Sequence, residues 1–174
     1  AMNLERERWL PAAFREPHVV VNVPDFTLEV RDSGRTMLRS RVVVGEPRNP
    51  TPTFSAKLNT IVLNPTWRLP RRILVDETVP SSVRDTSWFR RHHMRVFYTR
   101  AAKPIEVPPR GVDWRAAEED TFSYLVVQDP GDENPLGRIK LLCPNPYDVY
   151  LHDTPAKGYF SAVVRAYSHG CVRV

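Results

Sequence analysis

A cysteine directly after His-Gly, with a second histidine nineteen residues upstream, is a spacing that can support nucleophilic chemistry. Cys171 stands in Tyr167-Ser168-His169-Gly170-Cys171-Val172-Arg173 and His152 in Tyr150-Leu151-His152-Asp153. A thiol attacks as the thiolate, and the usual device for making one is an imidazole within hydrogen-bond reach. His152 and His169 both qualify. Gly170 allows positive φ and close approach to a substrate, and the amides around it could converge on an oxyanion. The same side chains could instead be metal ligands. Zinc sites favour close pairs such as CxxC or HxxxH, and neither occurs here. His169 and Cys171 would bite one ion awkwardly, so neither a metal nor a cofactor is expected. His92-His93, set among Arg90, Arg91 and Arg95, reads as a solvated face, and Cys143, inside an apolar run, as a small buried hydrophobe.

Side chains this far apart need a frame, and the composition indicates its kind. Seventeen prolines in 174 residues is about twice the usual share of roughly 5%. Proline is expelled from helix interiors and central strands, so edges, turns and β structure are favoured. Hydrophobic residues at 41% and charged residues at 26% suit one globular domain able to bury a core.

Residues 3–15 predict a short helix broken at Pro11. Val19, Val21 and Val23 alternate, as do Phe26, Leu28 and Val30. Asp32-Ser33-Gly34 is a turn and Met37–Val44 a partner strand, so a hairpin is predicted. Further strands fit 59–65, 122–128 and 138–144. Within YDVYLHD, Val149 and Leu151 share the core face, while Tyr150 and His152 point outward or into a cleft. Between these β segments the alternation lapses. Two helices are expected near 71–79 and 83–92, separated by Pro80, with a short helix after Asp113 as N-cap. An insert of that length within one domain reads as a lid.

The net charge of +5 and pI near 9.5 favour acidic partners such as nucleic acid, anionic lipid or an anionic cell-wall polymer. The arginines are scattered rather than run together, and no nucleic-acid motif accompanies them, so nucleic acid is not expected. No stretch approaches the apolar length of a transmembrane helix. The two cysteines allow at most one disulfide, which would silence thiol chemistry.

His152, fifteen intervening residues and then Ser168-His169-Gly170-Cys171 resembles the motif of the peptidoglycan L,D-transpeptidases, the YkuD-like catalytic domain. The segments RVVVGEPRNPTPTFSAKLNTIVLNPTWRLP, QDPGDENPLGRIKLLCPNPYDVYLHDTP and RAYSHGCVRV look like the large multidomain subgroup from Gram-negative bacteria, with residues 70–120 matching less clearly. The resemblance implies a mainly β, sandwich-type catalytic domain over 1–174 with a partly helical lid inserted at 68–120. It also implies a reaction. Cys171 would attack the bond between meso-diaminopimelate and D-alanine in a tetrapeptide stem, release D-alanine, and pass the acyl group to a second diaminopimelate as a 3→3 cross-link. Carbapenems acylate this cysteine in such enzymes.

On that resemblance His152 is the general base and then acid, and Gly170 and Cys171 amides, with His169, form the oxyanion hole. Ser168 and His169 hold the loop. Tyr150 lines the cleft, and Trp67 faces substrate under the lid, or else is a core tryptophan. Arg173, where many members carry Asn, could clamp a substrate carboxylate. The family continues past this motif with a helix and a strand, so the chain is expected to be truncated at its carboxyl end. Its amino end is expected to join upstream domains and a membrane-targeting segment, which places the enzyme in the periplasm. Partners are then stem peptides as donor and acceptor. The same fold could also serve a carboxypeptidase, a cross-link hydrolase, a lipoprotein-attaching enzyme, or a non-catalytic wall-binding module.

Overall fold

In the computed structural model the described residues are 17–82, 85 and 87–174. The helix predicted over 3–15 and the start of the one predicted at 83 lie outside them. The chain divides into two compact units. The first comprises the chain up to Ser55, Asn145–Leu151 and Lys157–Val174; the second comprises Ala56–Pro144 and His152–Ala156. The chain is mainly β.

The first unit opens with β1 (His18–Asn22), β2 (Thr27–Asp32), β3 (Arg35–Arg41) and the short β4 (Val44–Gly45). The second carries β5 (Thr60–Leu63), β6 (Trp67–Arg68), β7 (Met94–Tyr98), β8 (Ile105–Val107), β9 (Tyr124–Gln128) and β10 (Ile139–Leu142). Next comes β11 (Leu151–His152), within which the chain passes from one unit to the other, then β12 (Ala166–Ser168) and β13 (Val172–Arg173).

In the first unit β1, β2 and β3 form an antiparallel meander rather than a single hairpin. The β2–β3 turn holds Ser33 at φ 48° and Gly34 at φ 73°, the two positive values that match hairpin twist. The partner strand predicted to reach Val44 stops at Arg41. Val42 and Val43 are 0% exposed and Val44 2%, and each bonds a different segment. Val42 N–H donates to the Phe26 carbonyl, Val43 exchanges bonds with Arg173, and Val44 N–H donates to the Arg165 carbonyl. Three consecutive buried residues cannot continue a strand that faces solvent on one side, so the chain leaves the meander there. β4 then pairs in parallel with β12.

Arg165 is the residue around which these segments close. Its side chain is 92% buried (relative exposure 8%), yet no carboxylate meets it among the described residues. Its guanidinium donates to the carbonyls of Val42 (3.2 Å), Ala162 (2.8 Å) and Phe26 (3.0 Å), and lies 5.4 Å from the centre of the Phe26 ring. A planar five-donor group suits this cage, because it can reach carbonyls from several segments at once, including the Phe26 carbonyl that Val42 N–H already bonds.

The second unit has its own core, made by Leu69, Leu74, Phe89, Val96, Val112, Trp114 and Val126. Phe89 and Trp114 stack at 4.8 Å. The strands against this core run β6-β9-β7-β8. Tyr124–Gln128, expected as a return to the main β framework, is therefore a central strand of the insert's own sheet, pairing with both β6 and β7. The two predicted helices differ as well. Helical turns run from Arg71 to Ser82 with a π turn at Leu74–Thr78. Pro80 lies inside this run rather than ending it, and the second predicted helix is present as a short one over Ser87–Arg91. The helix after Asp113 is present as a 3-10 turn, Trp114–Glu118, with the Asp113 carboxylate accepting from Arg115 N–H at 3.1 Å. Separately, β10 pairs with β5.

Arg165→Met is expected to destabilise the protein by about 2–4 kcal/mol, because it orphans carbonyls that cost about 1–3 kcal/mol each when unsatisfied. Urea unfolding followed by tryptophan fluorescence checks this. Arg165→Lys should recover only part of the loss, since an ammonium cannot span the three acceptors.

Candidate active site

The loop that carries the thiol is held by its own backbone. β12 ends at Ser168, whose carbonyl accepts from Glu46 N–H at 2.9 Å. The Ser168 side chain, in a residue 2% exposed, donates to the Cys171 carbonyl and accepts from Gly170 N–H at 3.2 Å. Gly170 sits at φ 113°, a conformation side-chain-bearing residues rarely adopt. Space is not the constraint there, because an added Cβ would meet only the Asn49 and Pro50 carbonyl oxygens at 3.9 Å. The Gly170 amide, predicted as an oxyanion donor, is turned inward onto the Ser168 hydroxyl by this φ. His169 lies exposed at the outer side of the loop, and Ser168 has the loop-holding part predicted for it.

Behind the loop runs the segment after β4. Gly45 N–H donates to Thr51 Oγ1 at 2.8 Å, and that hydroxyl donates to the Gly170 carbonyl, also at 2.8 Å. The turn between them closes so tightly that a Cβ on Gly45 would overlap the Asn49 carbonyl oxygen and stand 2.6 Å from Thr51 N. Glu46 accepts from the Asn49 side chain at 2.8 Å.

A second loop of the same unit faces the thiol. Asn145 makes an Asx-type turn, accepting from Tyr147 N–H at 3.0 Å and donating to the Val149 carbonyl at 2.7 Å. This holds Asp148 at φ 53° and brings its carbonyl 3.9 Å from Cys171 Sγ. Val172 N–H then donates to the Tyr150 carbonyl at 3.1 Å, which ties Tyr150 to β13. The Tyr150 hydroxyl is hydrogen-bonded to the Cys171 sulfur, and burial, followed by Cys171 and Asp148, pushes its pKa well above the ordinary phenol range. Tyr150 is therefore a neutral donor at physiological pH.

Arg173 is partly buried beside the same sulfur. Burial pulls its pKa down, while Tyr159 and Cys171 pull it up. Its guanidinium lies 5.6 Å from the Tyr159 ring centre, and Tyr159 stacks on Tyr167 at 4.9 Å. Among the described residues no carboxylate pairs with it, and its Nε is buried without a hydrogen-bond partner.

The first unit thus brings together Cys171, Tyr150, Ser168, Gly170, His169 and Arg173. His152 and Trp67 belong to the second unit. His152 is 5% exposed, and its Nδ1 lies within hydrogen-bond distance of the Asp153 carbonyl. A carbonyl oxygen only accepts, so Nδ1 carries the proton and Nε2 the lone pair. Asp153 is itself fixed. Its N–H donates to the Ile139 carbonyl at 2.8 Å, and its carboxylate accepts from Arg138 N–H at 2.9 Å. Gly137, at φ 58°, leaves room for that carboxylate where a Cβ would collide with it. Trp67 is partly buried and packs against the second unit's core, the core alternative for this residue. A groove of about 420 Å³ over β7 and β8, lined by Met94, Arg95, Val96, Glu106 and residues 107–109, holds none of the predicted site residues. Cys143 is buried, and both cysteines are free thiols.

Sequence reasoning missed Gly45, Thr51, Asn145, Asp153 and Arg165. Asn145-Pro146 and Gly45-Glu46-Pro47 are turn signals that could have pointed to the two loops. Nothing local marks a threonine or arginine whose partners lie more than a hundred residues away.

The YkuD family, described as the L,D-transpeptidase catalytic domain, matches residues 16–174. A provisionally assigned L,D-transpeptidase of Haemophilus influenzae is 34% identical over 174 residues, which is 100% of this chain and 34% of the relative, so the chain spans about a third of that protein's length. Among solved structures, an L,D-transpeptidase from Mycobacterium smegmatis is 14% identical with a TM-score of 0.46, covering 91% of this chain and 49% of that one. The Ldtfm–avibactam carbamoyl enzyme is 13% identical with a TM-score of 0.47, covering 92% and 41%. With the family match running from residue 16 to the last residue and taking in the whole Ser-His-Gly-Cys block, the chain belongs to the YkuD family of L,D-transpeptidase catalytic domains.

Proposed function

We propose that this chain is the catalytic domain of a periplasmic peptidoglycan L,D-transpeptidase that forms 3→3 cross-links with Cys171 as nucleophile. The observation that carries this is the hydrogen bond between a partly buried, neutral Tyr150 hydroxyl and the Cys171 sulfur, on a loop fixed by Ser168. A structural thiol needs no such donor. A thiolate does, because hydrogen bonds to the charged form favour it.

In the proposed reaction the Cys171 proton passes to His152 Nε2, the nitrogen that carries the lone pair in this tautomer. The sulfur adds to the carbonyl of the diaminopimelate–D-alanine bond. His152 then gives its proton to the departing D-alanine amine as the carbon–nitrogen bond breaks, leaving a thioester. The side-chain amine of a second diaminopimelate attacks the thioester, His152 takes the amine's proton, and the sulfur leaves. Pairing His152 with Cys171 rests on the family motif spacing and on the His152 tautomer. General acid–base help of this kind is worth about 10²–10⁴-fold. With Gly170 N–H occupied, the oxyanion falls to Cys171 N–H, joined by the Tyr150 hydroxyl as the sulfur hands its charge to the carbonyl oxygen and releases that proton. Arg173 receives a stem-peptide carboxylate, the bidentate partner it lacks among the described residues.

Incubation with meropenem should add one covalent adduct to the intact mass, absent in Cys171→Ala. A folded protein that stays unmodified would favour a wall-binding module instead. With tetrapeptide stems as donor, cross-linked dimer by mass spectrometry supports the transpeptidase, whereas tripeptide alone means water is the acceptor.

Tyr150→Phe removes a donor that favours the charged thiolate, so the thiol should ionise at higher pH. The midpoint of iodoacetamide alkylation against pH should shift upward, and acylation at neutral pH should fall about 10- to 100-fold, the equivalent of one hydrogen bond to a charged group. An unmoved midpoint would remove Tyr150 from the chemistry.

A further inference from the structure

Thr51 lies 120 residues from the nucleophile and outside the family motif, yet its hydroxyl is the link between two backbone groups that matter. It accepts from Gly45 N–H at 2.8 Å and donates to the Gly170 carbonyl at 2.8 Å. A hydroxyl has a single proton. Because the Gly170 carbonyl can only accept, that proton is committed to it, and the Gly45 N–H on the other side fixes the direction in which the hydroxyl points.

The Gly170 carbonyl and the Cys171 N–H belong to one peptide unit. That unit is planar and trans, so its C=O and N–H point in opposite directions. Holding the carbonyl on Thr51 therefore sets the direction of the Cys171 N–H, away from the 45–51 segment. The hold is needed because Gly170 sits at φ 113°, in a region that glycine crosses freely. Left to itself, such a glycine would let its peptide rock, and the amide dipole would rock with it. The other loop bonds do not prevent this: Ser168 Oγ grips Gly170 N–H and the Cys171 carbonyl, which lie on the peptides before and after.

We infer that Thr51 is a positioning residue for oxyanion stabilisation, setting through the Gly170 carbonyl the aim of the Cys171 amide at the substrate carbonyl oxygen. The inference rests on the acyl-transfer function proposed above and adds a residue outside the motif to it. It also explains the tightness of the preceding turn. Only glycine at 45 lets the chain fold back far enough for Thr51 to meet both Gly45 N–H and Gly170 O.

Two electrophiles separate aiming of the amide from exposure of the thiol. Carbonyl addition by meropenem develops an oxyanion and needs the donor; displacement of iodide from iodoacetamide at carbon does not. In Thr51→Val, which keeps the shape and loses the hydroxyl, the rate constant for meropenem acylation should fall about 10- to 100-fold, as expected for a misdirected donor. The rate and pH midpoint of iodoacetamide alkylation should stay at wild-type values, and Thr51→Ser should restore acylation. Parallel loss of both reactions, or loss of neither, would overturn the inference. If Thr51→Val does not fold by circular dichroism, Thr51→Ala, which leaves room for a water at Gly45 N–H, is read by the same ratio. A wild-type protein that meropenem leaves unmodified but iodoacetamide alkylates would instead sink the acyl-transfer function itself, and the Thr51 role with it.

Discussion

The cationic side chain of Arg165, buried against three carbonyls and a ring, is the interaction on which the first unit depends. It draws the β1–β2 turn (through Phe26), the start of the valine run (through Val42) and the approach to the Cys171 loop (through Ala162) to one point. Its own carbonyl accepts from Val44 N–H, so the parallel pairing of β4 with β12 begins at the same residue. A buried charge without a carboxylate is costly unless every donor is used. That cost is what makes the arrangement specific. Any alternative packing of these segments would strand either the guanidinium or the carbonyls. The strand that delivers Ser168 to the loop is thereby set before the loop itself begins.

Much of this frame could be read from residue order. Period-two alternation located β2, β5 and β10, and Ser33-Gly34 marked a turn that the positive φ values bear out. What the pattern could not say was which strand joins which sheet. Tyr124–Gln128 alternates like a strand of the main framework, but its neighbours are β6 and β7, because the insert's aromatic core supplies the apolar surface it needs. Val42, Val43 and Val44 look like the end of a strand, yet each finds a partner far away in sequence. Local propensity carries no information about such long-range choices.

The candidate site divides in the same manner. Ser168, Gly170 and Cys171 lie in one short block, so their spacing could be recognised directly. Tyr150 could be placed on the opposite strand face from Val149 and Leu151, which are buried. His152 was expected on the outward or cleft face and is itself buried, with its tautomer set by the next residue's carbonyl. Trp67 was legible as an important ring with two readings, substrate-facing or core, and it packs on the second unit's core. Thr51 and Arg165 were invisible for one shared reason. Each acts by bonding backbone atoms, which every residue possesses, so nothing in the sequence marks their targets.

The serine of the Ser-His-Gly-Cys block follows from the same proton accounting. Ser168 Oγ must donate to the Cys171 carbonyl and accept from the Gly170 amide, so position 168 needs a group that does both within one short side chain. Alanine would leave two buried backbone groups unsatisfied, and a carboxylate could not donate. The closed ring this makes occupies the Gly170 N–H, leaving that amide turned into the loop. In the proposed acyl transfer, oxyanion stabilisation would then come from groups whose direction is set from outside the ring. The Tyr150 hydroxyl is directed by the Asn145 turn and by pairing with Val172. The Cys171 amide is directed by Thr51. Serine at 168 makes the loop rigid, and that rigidity is why the aim of the loop must be fixed by residues the motif does not contain.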